Sequence, residues 1–478
     1  MNKFLLLFIS FILLQNTFCA AQNVTISDDV NVRNDAGYEI LGRYKGNILL
    51  FRDKNNEYEV TAFDEQMHNI WTHELVFAEK KVQILDAVQG TDYFGVVYKT
   101  KIKNNNVVKI NRFDASAKFV DSALVRNYGN RFVPPSPVSI FSEDKKIVLL
   151  YSFSQDGRLE CSAFDIANMK LLWQKEIMLP ENVRPNEEFI EATVGNNGQS
   201  YFIFEKDETA AIFGGSAHQY VFCEINQAQN NNFKIVFKEY ATYGIRFDFD
   251  NVNQQLCAVG LYSDIGKSRA TGCFFLKIKG GFEKLFLEPF TDDIASAIAG
   301  KEIIKNKGIS DLKPQSLVLR KDGGVVAFFE ETRQYSRASA GMTTGALNSH
   351  LESTGRFVMD YYCDNLLVYS FNPDGTLQWK KMLPKKQFSQ DDDALFSSYG
   401  LLKTPRAVRI LFNDMVNMET TTSEYIMNGN GLIDRHSMFN TANQDILLRF
   451  QDALQISSDE VLVPSEYRSK LRLVRLRY

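Results

Sequence analysis

The chain has 478 residues, 45% hydrophobic, 23% charged and 13% aromatic, which supplies a large core and excludes a disordered or fibrous protein. Fifty-four Lys and Arg against 58 Asp and Glu leave a net charge of −4, without the basic surplus that binding phosphate backbones demands, so no nucleic acid is expected as a partner. Five histidines and six scattered cysteines argue against a metalloenzyme and against a disulfide framework.

The chain opens with Met1-Asn2-Lys3, an apolar run over residues 4–14 and the small-residue exit Cys19-Ala20-Ala21. This is the pattern of a secretory signal peptide over residues 1–21, cleaved after Ala21. The run is too short to span a bilayer, which takes roughly 20 residues. Cys19 offers a lipid-anchor alternative, but Phe18 precedes it where bacterial lipoprotein signals place Gly or Ala. No later segment reads as a transmembrane helix. The expectation is an exported, periplasmic protein, peripheral at most to the outer membrane, with residues 22–478 forming one domain. Of the five remaining cysteines, each lies in a strand-like apolar run and reads as a buried thiol. Cys257 and Cys273 are the one pair that could bridge across neighbouring strands.

Residues 23–32 have a strand pattern of their own. Beyond them, short apolar runs rich in β-branched and aromatic residues recur at 48–51, 94–98, 147–151, 201–204, 256–262, 325–329, 408–412 and 461–463. Runs of this length, edged by Asp, Asn, Lys or Gly, are buried strands. A second signal follows them. Phe63-Asp64, Phe113-Asp114, Phe164-Asp165, Ile225-Asn226 and Phe371-Asn372 each end an alternating strand and lead through a polar turn into another. Trp71, Phe233 and Trp379 lie seven residues past the Asp or Asn, and Trp173 eight. All three tryptophans therefore share one slot of a repeat.

A four-stranded twisted sheet buries both faces only when similar sheets stack on it, and radial closure leaves few open edges. The repeat predicts an all-β protein, a β-propeller of eight four-stranded blades (seven being the alternative count), with the slot aromatics packed on the next blade. The last blade supplies about three strands before the chain stops, so residues 23–32 are expected to complete it. An outer-membrane barrel is rejected. The final strand puts cations on both faces, and a lipid-facing Arg costs roughly 2–4 kcal/mol.

The copies ending Phe164-Asp165…Trp173 and Phe371-Asn372-Pro373-Asp374-Gly375-Thr376-Leu377-Gln378-Trp379 resemble the repeat of pyrroloquinoline-quinone-type β-propellers. That repeat pairs an aliphatic residue with Asp, a Thr-Gly turn and a Trp; the Thr-Gly is missing here. The resemblance implies either a quinoprotein dehydrogenase or a non-catalytic scaffold of outer-membrane assembly. As a whole the chain also resembles the periplasmic plug components of type IX secretion translocons.

Two insertions break the rhythm, at residues 291–311 and 335–362. Thr291-Asp292-Asp293 reads as a helix start, with Ile294 and Ile298 on one face and Gly308 as a stop. The second insertion is polar but carries Tyr335, Met342, Leu347, Leu351 and Phe357, spaced apolar anchors suited to a partner. Asp391-Asp392-Asp393 lacks the alternation and turn glycine of a calcium loop. His68 and His73 cannot face one way on a strand, and the alternating cations of the last strand read as an exposed or clasped strand. No nucleophile elbow or phosphate loop is present. A quinoprotein site needs a tryptophan in the central funnel, and all three belong to the blade slot. No cofactor, metal or catalytic residue is expected. The function expected is a docking scaffold, a monomeric propeller within an envelope or outer-membrane protein complex. The alternative is a quinoprotein-like or carbohydrate-active propeller enzyme.

Overall fold

All eight apolar runs are the second strands of four-stranded antiparallel sheets. In this computed structural model, described for residues 22–133, 136–180, 183–208, 217–265, 269–280, 282–299, 308–338, 357–416, 421–441 and 444–478, the sheets are the blades of a propeller. Blades 1 to 7 cover residues 37–74, 83–129, 138–178, 189–237, 240–289, 312–383 and 400–440. Blade 8 takes residues 454–477 together with 23–31. Each blade is a meander. Its first strand lies innermost, and from blade 1 to blade 6 consecutive first strands touch.

The apolar side chains divide into eight buried clusters, each shared by two consecutive blades, from blades 1 and 2 round to blades 8 and 1. The core is therefore eight seams, and the ring closes because no blade can bury both faces alone. The N-terminal segment completes blade 8 as expected. Asn23–Ile26 pairs with the end of the last strand, from Asn23 opposite Arg477 to Ile26 opposite Val474. Val30–Asn31 pairs with Leu471 and Lys470. The cations of the last strand meet acids: Lys470 and Arg472 bind Asp29, and buried Arg475 binds Glu460 at 2.6 Å.

Trp71, Trp173 and Trp379 occupy equivalent places in fourth strands, opposite Ala62, Ala163 and Ser370, each beside a β-bulge. Trp173 donates its indole N–H to the Gly198 carbonyl of blade 4 at 3.0 Å, and Trp379 does so to Gly429 of blade 7. Gly431 lies under the Trp379 ring with φ +76°, where an added Cβ would come within 2.7 Å of it. Phe233 departs from the slot. Blade 4 lacks the bulge and its turn is one residue shorter (Asn226 N–H to Gln229, against Asp64 N–H to His68), so Phe233 falls opposite Phe222, two residues further along, and stacks on it at 4.9 Å. Trp173→Ala is expected to cost about 3–5 kcal/mol, since the side chain is buried in the seam between blades 3 and 4. A loss under about 1 kcal/mol in denaturant unfolding would contradict this packing.

The five cysteines after residue 21 are free and buried, as expected, and the bridge left open between Cys257 and Cys273 does not form. Cys257 lies opposite Lys277, and Cys273 opposite Leu261. Four residues of register, roughly 13 Å, separate the two thiols, and both are free and buried. The insertion at 335–362 is also not a loop from its first residue. The hairpin ladder of blade 6 continues to Ala338 opposite Phe357. In the first insertion, Asp292–Ala299 is a helix, with Ile294 and Ile298 buried in the seam of blades 5 and 6. Residues 1–21, with Cys19, lie outside the described residues, as do 300–307 and 339–356.

Candidate functional site

In a meander, the turns between second and third strands and the links between blades share one face of the ring. Both insertions leave from that face. There, blade 6 differs from its siblings. Its second and third strands, Val325–Ala338 and Phe357–Phe371, run 14 and 15 residues, against 7 and 8 in blade 3. The excess stands proud of the ring. A short extra strand, Gln387–Gln390, pairs with Asp360 to Cys363 and makes the projection three-stranded.

Its base is locked by a buried ion pair. The Lys385 ammonium meets Glu330 at 2.7 Å, both side chains shielded from water, and also donates to the Cys363 carbonyl and to Gln387. Ser398 donates to the other Glu330 oxygen at 2.6 Å. The bonds from Lys385 to Cys363 and Gln387 and from Ser398 to Glu330 hold the buried pair in one geometry. Higher up, Arg337 binds Asp360 at 2.6 Å and holds that carboxyl below its usual range. The triple-aspartate segment serves this platform. Asp391 accepts the Met359 N–H, Asp393 accepts the Tyr361 hydroxyl, and Asp392 accepts the Ala394 N–H.

The platform carries an aromatic row. Tyr335 packs edge-on against Tyr362 at 6.0 Å, and Tyr362 lies 5.0 Å from Phe388. The Arg333 guanidinium sits 5.4 Å from the Tyr362 ring and pairs with Asp364. Tyr335 is 54% and Phe388 42% exposed. Exposed aromatics beside braced arginines are the composition of interface anchors. Of the anchors expected from sequence, Tyr335 is in this row and Phe357 begins the third strand. Met342, Leu347 and Leu351 lie outside the described residues. Phe388, Arg333 and Arg337 were not singled out from the sequence, because only the fold brings the extra strand beside the hairpin.

The second feature is the central channel. The first strands of blades 1, 2, 4 and 5 each supply an acid: Glu39, Asp86, Glu191 and Asp248. Enclosure by the channel wall pushes Glu39 up to about 7, although water still reaches it, with the charges of Asp86 and Asp452 adding and Lys145 opposing. Burial pushes Asp86 and Asp248 up to about 6 each. Asp86 is opposed by the Ala87 N–H, Ser139 and Lys145, and Asp248 by the Phe249 N–H and Lys403. Burial also raises Glu191, with Arg246 as the countercharge. These groups give the channel a charge that changes near neutrality. Among the described residues, no group of three or more His, Cys, Asp or Glu is placed to hold a metal. The tryptophans sit in outermost strands, facing neighbouring blades and away from the channel.

The sheets define the chain as an eight-bladed β-propeller. No protein-family model and no curated protein sequence matches it. Among solved structures it is similar to the β-propeller domain of the Trilobed protease from Pyrococcus furiosus, at 10% identity and TM-score 0.36, over 88% of this chain and 99% of that one. It is similar to a β-propeller domain from Vanderwaltozyma polyspora, at 10% identity and TM-score 0.36, over 83% of this chain and 100% of that one. It is also similar to oligopeptidase B from Leishmania major, at 8% identity and TM-score 0.34, over 92% of this chain and 54% of that one. The chain thus spans about half the length of that peptidase. Likenesses this distant concern the fold alone.

Proposed function

We propose that the chain is a non-catalytic periplasmic β-propeller, a protein-docking scaffold within a complex of the bacterial cell envelope. In its finer form, it plugs or gates an outer-membrane protein translocon of the type IX kind. One observation carries the docking reading: the braced projection of blade 6, which holds Tyr335 and Phe388 in water beside fixed arginines. Rigid aromatic anchors lose little conformational entropy on binding, and each buries a large area. The export-like leader and the resemblance to non-catalytic scaffolds support the compartment.

The double variant Tyr335→Ser, Phe388→Ser tests it. Both side chains lie outside the seams between blades, so the thermal midpoint is expected to move by no more than about 2 °C. Capture of the envelope complex on immobilised protein is expected to fall at least about tenfold, the loss of one anchor's worth of binding energy. Undiminished capture would place the docking surface elsewhere. Turnover of an alcohol or sugar with added quinone and calcium would overturn the scaffold reading altogether.

A further inference from the structure

Among the described residues, no strand pairs with the outer edge of the projecting hairpin. The first strand of blade 6, Leu312–Leu319, pairs with the second only from Val325 to Glu331. The last bond on that side runs from the Thr332 N–H to the Asp311 carbonyl at 2.7 Å. There the chain departs, and Ile309 pairs instead with Ala270 of blade 5. From Arg333 to Ala338, among the described residues, no strand lies on this edge.

The phase of the ladder fixes which backbone groups are left over. Thr332 points its N–H outward, and in an antiparallel pair this orientation recurs every second residue. The opposite edge gives the same phase. The Met359 carbonyl turns away from the hairpin to accept the Asp391 N–H at 3.0 Å, so its partner Ser336 must turn its groups the other way. Gln334 and Ser336 therefore each aim an N–H and a carbonyl at the open edge.

That edge is a wall of a cleft of about 860 Å³. Blade 4 supplies Glu205 and His218 on the far side, and Ala241, Tyr243, Leu312 and Pro314 contribute apolar surface. Proteins usually blunt such an edge with a free lysine, a proline or a bulge. Here the two arginines of the segment are tied down by Asp364 and Asp360. The cleft's charged groups are two acids, Glu205 and Asp311, and two cations, Lys313 and Arg333, with Glu205 held by His218 at 2.6 Å and Arg333 by Asp364, so no surplus of either sign faces the cleft. A balanced, partly apolar cleft beside four outward backbone groups suits a neutral polypeptide better than a charged ligand.

We infer that the edge at Gln334 and Ser336 is a strand-addition site, which binds an extended, uncharged segment of a partner protein carrying at least one bulky apolar side chain. The main chain of that segment would continue the sheet, and its apolar side chain would fill the cleft. The inference rests on the docking reading above and specifies its mode.

The test uses the full-length processed chain and a phage-displayed library of random 12-residue peptides. Enriched sequences should be uncharged and bulky-apolar, and the corresponding synthetic peptide should slow amide exchange at Gln334 and Ser336 at least tenfold. Ser336→Pro and Gln334→Pro each remove one outward N–H and should weaken that peptide at least tenfold. Ser336→Ala and Gln334→Ala keep the N–H and should bind as the parent does. Thermal melts confirm that each variant is folded, and the two proline variants serve as replicates should one fail. No enrichment, enrichment indifferent to both prolines, or slow exchange at these amides without peptide overturns the inference. If the proline variants still capture the envelope complex while Tyr335→Ser, Phe388→Ser does not, docking stands and strand addition falls. If both capture it fully, the docking reading itself falls.

Discussion

Removal of residues 22–32 is expected to lower the thermal midpoint by about 10 °C and to drive the protein toward self-association. The segment does three things at once. Its backbone closes the last strand through the pairs from Asn23 to Ile26 and at Val30 and Asn31, with the Ser27 and Val32 N–H groups bonding Leu473 and Ser469 between and beyond them. Val30 and Val32 are buried in the seam of blades 8 and 1, which stabilises by roughly 1.5–3 kcal/mol per fully buried side chain. Asp29 ties down Lys470 and Arg472, and those two cations hold its carboxyl below the usual range. The combined loss is about 5 kcal/mol, and large domains lose roughly 2 °C for each kcal/mol. The stripped strand would also offer an open edge flanked by Leu471, Leu473 and Leu476, a template for pairing with a second copy. Calorimetry and light scattering read the two effects. An unchanged midpoint with a monodisperse product would mean that blade 8 is sufficient without its outermost strand.

The blades were legible because the second strand of each is shielded on both sides. A strand between two seams must be apolar at nearly every position, so residues 147–151 and 256–262 stand out as unbroken runs. First strands are harder to find. They alternate, they run only four residues in blades 3 and 7, and bulges interrupt several of them. The tryptophan slot was legible for the same reason that Phe233 misled. Counting residues past the Asp or Asn assumes one turn length and one bulge, and blade 4 has a shorter turn and no bulge between its third and fourth strands. Cys257 and Cys273 sit on adjacent strands as expected, but their registers differ by four residues, which spacing alone does not fix.

The candidate sites were legible in part. Tyr335 was visible as an anchor because it lies in a polar stretch. Phe388 was not, because Gln387–Gln390 follows Pro384, Lys385 and Lys386 and reads as a connection. Only its pairing with Asp360 to Cys363 makes it part of the platform. The channel acids were invisible for another reason. One acid in an alternating strand is what any solvated strand shows, and Glu39, Asp86, Glu191 and Asp248 lie in four separate copies of the repeat. Ring closure is what turns four ordinary positions into one electrostatic site.

Those channel acids should make the propeller more stable in mild acid than in mild base. Glu39 is raised to about 7, and Asp86 and Asp248 to about 6, from ordinary values of 4.5 and 3.8. A raised carboxyl binds its proton more tightly in the fold than in the unfolded chain. Between about pH 4 and 7 the fold therefore holds more protons, and stability rises as pH falls through that window. The destabilising contribution is complete above pH 7 and gone below about pH 4. Taken at face value, each unit is worth about 1.4 kcal/mol. Water in the channel screens much of this, and Glu39 is solvent-exposed, so about 2–3 kcal/mol is expected from the three together. Carboxyls lowered by partners, Asp29, Glu79 and Asp360 among them, act in the opposite sense, but their loss falls below about pH 4 and leaves the range from 5 to 8 clear. The decisive comparison is Glu39→Gln, Asp86→Asn, Asp248→Asn against the parent, both melted from pH 8 to pH 5. The histidines are common to both proteins, so the difference isolates the channel. The variant should melt higher at pH 8, by about 5 °C, and the two curves should converge toward pH 5. Parallel curves would mean that the three carboxyls titrate as ordinary surface groups, and that the channel is open enough for water to solvate them fully.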